Sequence, residues 1–129
     1  MKSLSFMLVD DSNITIKKLT NMIEELGHRV IFVANTGQHA ANEYMAVKPD
    51  MVTMDITMPD MDGIEATRRI ITQDKNALII MITSHGQEQM VIEAIEAGAK
   101  GYVLKPVNKD KLKEHIEQVF DKYGAESLS

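Results

Sequence analysis

The amino-acid sequence predicts a doubly wound α/β domain, a parallel sheet covered by helices on both faces. Three observations carry that prediction. Short apolar runs alternate along the chain with longer stretches whose apolar residues recur every three or four positions, the periods of strand and helix. Three of the strand candidates are nearly continuous hydrophobic runs, as expected of strands buried on both faces inside a parallel sheet. Five strand–helix pairs occupy the chain with short loops between them, and right-handed crossovers then distribute the helices over both faces.

The first strand is predicted over residues 6–9, ahead of the doublet Asp10-Asp11, and the helix after it carries Ile16, Leu19, Ile23 and Leu26 before stopping at Gly27. A second strand at 30–34 leads to a helix at 38–47 that Pro49 ends. The third strand, 51–54, precedes a helix at 64–71. The fourth, 77–83, precedes one at 87–97 that meets Gly98. After a fifth strand at 102–104, the last helix presents Leu112, Ile116, Val119 and Tyr123 on one face before Gly124. The expected layout is one domain over residues 1–123 and a short tail, 124–129, with no output domain.

Composition narrows the function. The chain has 129 residues, 44% of them hydrophobic and 26% charged, which suits one soluble globular core and excludes disordered and collagen-like classes. Its formal charge of −5 argues against a surface built to neutralise nucleic-acid phosphates. Cysteine is absent, which removes disulfides, thiolate zinc sites and a cysteine nucleophile together. The longest apolar run, 77–82, is too short for a bilayer, and the apolar start meets Asp10 and Asp11 before any cleavage site, so a cytoplasmic, untagged protein is expected. His28, His39 and His115 are expected at the surface, the ten Met residues as flexible core filler, and the charged run over 109–114 as a solvated helix face.

In open α/β sheets ligands bind beyond the carboxyl ends of the strands. Asp10 and Asp11 follow the first strand, Asp55 the third, Thr83 and Ser84 the fourth, and Lys105-Pro106 the fifth. Any one of these acids could be an ordinary helix cap, but capping explains neither the doubled carboxylate nor Lys105. If the first and third strands are neighbours, two carboxylates ~5 Å apart at an effective dielectric of ~20 repel by roughly 3 kcal/mol. A positive charge has to sit there. Hard oxygen ligands without Cys or paired His suit Mg²⁺, which is usually held by one or two carboxylates, waters and a phosphate. Three carboxylates, one divalent ion and the Lys105 ammonium sum to zero charge, a pocket fit for phosphoryl transfer. In that chemistry a carboxylate can be the nucleophile, as an acyl phosphate. Asp55 stands alone at a strand end and takes that role, Asp10 and Asp11 become metal ligands, and Thr83 and Lys105 bind phosphoryl oxygens.

Competing readings fare worse. A flavin or nucleotide binder on this topology needs a Gly-, Ser- and Thr-rich loop after the first strand, where this chain has Asp-Asp-Ser-Asn. A hydrolase that phosphorylates its own aspartate resembles a D-x-D pattern, whereas here Asp55-Ile56-Thr57 lacks the acid for the leaving group. A purely structural module would leave the constellation unexplained.

Val9-Asp10-Asp11-Ser12, the run Asp55-Ile56-Thr57-Met58-Pro59-Asp60-Met61-Asp62-Gly63, Thr83-Ser84, residues 94–101 and Tyr102-Val103-Leu104-Lys105-Pro106 together resemble the receiver domain of two-component response regulators, of the stand-alone chemotaxis, CheY-like type. The resemblance covers essentially the whole chain. It implies a flavodoxin-like (βα)5 fold with strand order 2-1-3-4-5. It implies that Asp55 accepts a phosphoryl group from a histidine kinase, with Mg²⁺ held by Asp10 or Asp11, Asp55 and the backbone carbonyl of Thr57. Thr83 and Lys105 carry over as phosphate sensors, Thr83 and Tyr102 as the switch pair, and the Lys105-Pro106 bond as cis. Thr57 and His85 occupy positions that vary in the family beside the path of the attacking water, which makes them candidates for setting the phosphoryl lifetime.

The implied protein is a phosphoacceptor switch that catalyses only its own phosphorylation and dephosphorylation, not a turnover enzyme. The implied partners are a chemotaxis-type histidine kinase, a flagellar motor switch protein or other effector, and a phosphatase, with no nucleic acid and no membrane; the protein itself is expected to be a monomer. A surface including Ile95, Tyr102 and Val107 is the expected effector contact. The alternative within the family is a phosphorelay intermediate or phosphate sink that passes its phosphoryl group to a histidine phosphotransfer protein.

Overall fold

The computed structural model describes residues 2–58 and 60–128; Pro59 of the quoted motif and Ser129 of the expected tail lie outside the described residues. Ten elements alternate in chain order: β1 Ser5–Val9, α1 Asn13–Glu25, β2 Arg29–Ala34, α2 Gly37–Val47, β3 Met51–Met54, α3 Gly63–Gln73, β4 Ile79–Thr83, α4 Glu88–Ala97, β5 Gly101–Leu104 and α5 Lys109–Leu128. The five strands form one parallel sheet in the order β2-β1-β3-β4-β5, the flavodoxin-like order that the family resemblance implies.

Side chains of successive strand residues point to opposite faces, so the continuous apolar strands feed two cores at once. Met7, Val9, Val52, Met54, Ile79 and Met81 pack beneath α2, α3 and α4, where Ala40, Tyr44, Ile64, Ile70 and Ala94 close the layer. Phe6, Leu8, Met51, Ile80 and Ile82 face the other way, against Leu19 and Ile23 of α1 and Leu112, Ile116 and Val119 of α5. Met7, Met51, Met54 and Met81 are fully buried, as expected of core filler.

Helix ends follow local chemistry. Ser12, Thr36 and Asp62 cap α1, α2 and α3 by accepting the backbone N–H of Thr15, His39 and Glu65. Gly98 ends α4 at φ +115°, and a Cβ there would lie 2.6 Å from Cγ1 of Ile71, so space and dihedral both demand glycine. α2 ends at Val47, two residues before Pro49, with the cap residue Lys48 in the left-handed region at φ 47°.

Two expectations need correction. The last helix does not stop before Gly124 but runs to Leu128, so 124–128 is helix and not a tail; Gly124 keeps an ordinary helical place against the Phe120 ring, where a Cβ would meet ring carbons at 2.9 Å. A single glycine costs a helix interior only about 1 kcal/mol, which does not by itself end it. His28 is not a surface group either: it is half-buried, its Nδ1 accepts the Leu4 N–H at 3.0 Å, and its ring packs 5.6 Å from that of Phe6. Among the described residues, no helix is long and apolar enough to cross a membrane.

Candidate functional site

The strand order puts β1 and β3 side by side at the middle of the sheet, where the chain leaves β1 for one side and later fills the other. That switch point opens a crevice beyond the strand ends. Val9 pairs with Met54, so the next residues in each strand, Asp10 and Asp55, emerge together. Backbone hydrogen bonds carry the ladder one residue past the strands: the Asp10 N–H donates to the Ala34 carbonyl, Asp55 N–H to Val9 and Lys105 N–H to Thr83. The bases of all three functional side chains are thereby held as firmly as the sheet.

Asp10, Asp55 and Thr83 are buried, while Asp11 is exposed at the rim. Carboxylate oxygens of Asp10, Asp11 and Asp55 lie within 4.8 Å of one another. Nζ of Lys105 reaches between two of them, 3.0 Å from Oδ2 of Asp10 and 3.7 Å from Oδ1 of Asp55. Oδ1 of Asp10 accepts the Ser12 N–H at 2.9 Å, and Oδ1 of Asp55 accepts the Ile56 N–H at the same length. Burial, then the neighbouring Asp10 charge, push the Asp55 carboxyl above the ordinary carboxylate range; Lys105 and the Ile56 N–H only partly offset them, and Asp11 adds to the rise. One ammonium against three carboxylates leaves the pocket short of positive charge. The donor set is all hard oxygen, so the cluster can hold a divalent cation such as Mg²⁺.

Gly63 fixes the loop after Asp55. Its N–H donates to the Ile56 carbonyl at 2.7 Å, and a Cβ on it would fall 1.9 Å from the carbonyl oxygen of Asp55. Across the crevice, Thr57 Oγ1 and His85 Nε2 lie 2.6 Å apart, joining the β3–α3 and β4–α4 loops. The backbone of His85 is held from two sides, its N–H donating to Thr83 Oγ1 at 3.2 Å and its carbonyl accepting from the Tyr102 hydroxyl at 2.5 Å. Thr83 and Tyr102 therefore meet at one residue. Thr83 is buried and Ser84 exposed, so Thr83 is the hydroxyl that faces the crevice loops. The Lys105-Pro106 bond is cis.

The three residues expected at a partner surface are not one cluster. Ile95 is exposed on α4 and Tyr102 half-buried on β5, packed against the α2–α4 layer. Val107 packs instead against the α1–α5 layer, lining a cavity of about 230 Å³ with Lys18, Leu19, Met22, Lys105 and Pro106. Sequence reasoning missed Ile92 and Leu104, which are exposed on α4 and β5, because strand and helix periodicity mark what is apolar and not what is left uncovered. It also missed Asn35 and Asp60, polar loop residues with no periodic signal that reach the site's framework from outside.

Comparisons with known proteins agree with this geometry. The family model described as the response regulator receiver domain matches residues 6–117. The chain is 39% identical to the chemotaxis protein CheY of Listeria monocytogenes over 89% of its length and 97% of the relative's, and 42% identical to CheY of Thermotoga maritima over 88% and 94%. Among solved structures, the complex of CheX and CheY with beryllofluoride and Mg²⁺ from Borrelia burgdorferi contains a chain similar to this one with a TM-score of 0.89, 38% identity, and coverage of 92% and 90%. Matched by the receiver-domain model over residues 6–117 and about 40% identical to CheY relatives over most of its length, the chain belongs to the response regulator receiver domains, in their CheY-like group.

Proposed function

We propose that this protein is a phosphorylation switch in two-component signalling, with Asp55 as the acceptor of a phosphoryl group from a histidine kinase. The observation that carries the reading is the buried Asp55 carboxylate flanked by Asp10, Asp11 and Lys105 in one crevice. A carboxylate oxygen of Asp55 attacks phosphorus as the phosphorus–nitrogen bond of the donor phosphohistidine breaks, leaving an acyl phosphate and a neutral imidazole once a proton is returned. Lys105, free to leave Asp10, and the Thr83 hydroxyl donate to phosphoryl oxygens. Mg²⁺ held by Asp10, Asp11, Asp55 and the Thr57 carbonyl supplies the remaining positive charge. The chain then catalyses only its own phosphorylation and dephosphorylation, without turnover of a small substrate.

Output comes from redistribution between two arrangements of Thr83 and Tyr102, since a ligand shifts only an equilibrium whose states it binds unequally. Both hydroxyls hold His85 here, so drawing the Thr83 hydroxyl toward a phosphoryl group loosens the same loop that Tyr102 grips. The neighbouring face with Ile92, Ile95 and Leu104 is then the contact for a separate effector, with a flagellar motor switch protein as the leading partner, a chemotaxis kinase as donor and a phosphatase as terminator. The names of the CheY relatives support the chemotaxis assignment; a monomer working in the cytoplasm is part of the same proposal.

Labelling by acetyl phosphate with Mg²⁺ tests the acceptor: Asp55→Asn is expected to abolish it with the fold intact, and undiminished labelling overturns the assignment. Capture by beryllofluoride-loaded protein tests the output. Retention of a motor-switch protein by the loaded form alone marks a messenger, whereas equal retention of kinases and histidine phosphotransfer proteins marks a relay or sink.

A further inference from the structure

The β2–α2 connection supplies no carboxylate to the site, yet it touches both loops that do. Nδ2 of Asn35 donates to the main-chain carbonyl of Asp10 at 3.1 Å and lies 3.5 Å from Oδ1 of Asn13, so this neutral amide ties down the turn that carries Asp10 and Asp11. Two residues on, the N–H groups of Gly37 and Gln38 donate to Oδ1 and Oδ2 of Asp60 at 3.2 and 2.9 Å, and Asp60 belongs to the loop after Asp55. Thr36 accepts the His39 N–H at 3.1 Å, and Asp60 takes the two N–H groups before it, so the start of α2 is tied to the loop after Asp55 by both oxygens of one carboxylate. The contact is also close in main chain: a Cβ on Gly37 would lie 2.9 Å from the Met61 carbonyl oxygen and 3.2 Å from Cβ of Ala66.

We propose that Asn35 and Asp60 are positioning residues for the metal site, acting in series through the β2–α2 connection to hold the Asp10–Asp11 turn at a set distance from the Asp55 loop. The inference rests on the metal site assigned under the proposed function. Carboxylates brought within 4.8 Å repel, and that repulsion acts to part the β1–α1 turn from the β3–α3 loop in the absence of a cation. Lys105 opposes the separation from inside the pocket, at a cost in competing positive charge. Asn35 opposes it from outside and adds no charge. Outer partners that fix the orientation of metal ligands typically change affinity by about 10-fold to 100-fold when removed.

The test is a Mg²⁺ titration of the full-length, unphosphorylated protein followed by amide chemical shifts, with unfolding midpoints measured alongside. Asn35→Ala and Asp60→Ala are each expected to weaken Mg²⁺ binding, the former by about tenfold, and Asp60→Asn, which keeps an acceptor oxygen, is expected to stay nearer the parent. Because the two contacts form one strut, the double variant is expected to be no weaker than the weaker single one. Single-variant affinities within about twofold of the parent overturn the proposal even if the unfolding midpoints fall, and so does a double variant whose loss is the product of the singles. A parent that shows no Mg²⁺-dependent shifts at Asp10, Asp11 and Asp55 overturns the metal site itself, which separates the two failures.

Discussion

Thr57 and His85 bridge the β3–α3 and β4–α4 loops, Oγ1 to Nε2 at 2.6 Å, with Asp55 two residues before one and the buried Thr83 two residues before the other. On the proposed reading, in which Asp55 carries an acyl phosphate, these two side chains flank the path of the attacking water. His85→Ala removes the imidazole while keeping the backbone bonds to Thr83 and Tyr102, so its effect belongs to the side chain. Loss of one hydrogen bond of about 1 kcal/mol from the barrier corresponds to roughly fivefold faster loss of the phosphoryl group. Decay of phosphorylated protein after removal of acetyl phosphate checks this, and equal rates for His85→Ala and the parent would remove His85 from any role in the lifetime.

Lys105→Met keeps the bulk of the side chain but leaves the buried Asp10 and Asp55 with no ammonium nearby. The variant is expected to lose about 1–3 kcal/mol of stability without divalent ions, the usual penalty for an unmatched polar contact. Added Mg²⁺ should restore more stability to it than to the parent, because a competing charge has gone. Urea unfolding with and without Mg²⁺ measures both; equal Mg²⁺ stabilisation of the two proteins contradicts the prediction.

Gly63→Ala introduces a Cβ 1.9 Å from the Asp55 carbonyl oxygen and 2.9 Å from Cγ of Met54, both in the rigid end of β3. Overpacking of this kind typically costs about 1–3 kcal/mol, and the main chain of Asp55 itself must move to relieve it. A lower unfolding midpoint together with slower labelling by acetyl phosphate is expected. Unchanged labelling in a folded variant shows that Asp55 does not depend on this contact.

His28 supplies a pH dependence through its bond to Leu4, just ahead of β1. Burial, then the positive N-terminus, hold its pKa below the ordinary 6.5, with Glu117 pulling weakly upward, and its Nδ1 must be unprotonated to accept the Leu4 N–H. Below 6.5 the unfolded chain therefore binds more protons than the folded one. The stabilisation is fully present above 6.5 and is lost as pH falls through the lower, folded-state value. Urea midpoints measured from about pH 7 down to about pH 5 should fall more steeply for the parent than for His28→Gln, and parallel curves for the two proteins count against this role.

The fold was legible in the residue pattern because parallel strands buried on both faces have no polar positions, and the five runs stood out against helices with a single apolar stripe. Met51–Met54 came out with the boundaries expected, and the other strands within a residue or two. Helix ends were harder wherever a glycine carried no positive φ: Gly27 and Gly98 adopt φ of 91° and 115° and do end helices, whereas Gly124 sits inside α5, a difference of conformation that composition does not encode.

Asp10, Asp11, Asp55, Thr83 and Lys105 were identifiable because each stands at or just past the end of a strand, and a parallel sheet gathers all such positions along its carboxyl edge. Sequence alone thus determined which groups share an edge. Tertiary structure decided which of them touch: that the Lys105 ammonium lies nearer Asp10 than Asp55, that Val107 packs with α1 and α5, and that Asn35 bonds to the Asp10 carbonyl while Asp60 accepts from the first turn of α2. The physical reason is range. Periodicity reports burial against the nearest layer, whereas a hydrogen bond between Asn35 and Asp10 depends on the lateral order of strands 25 positions apart in the chain, which only the assembled sheet defines.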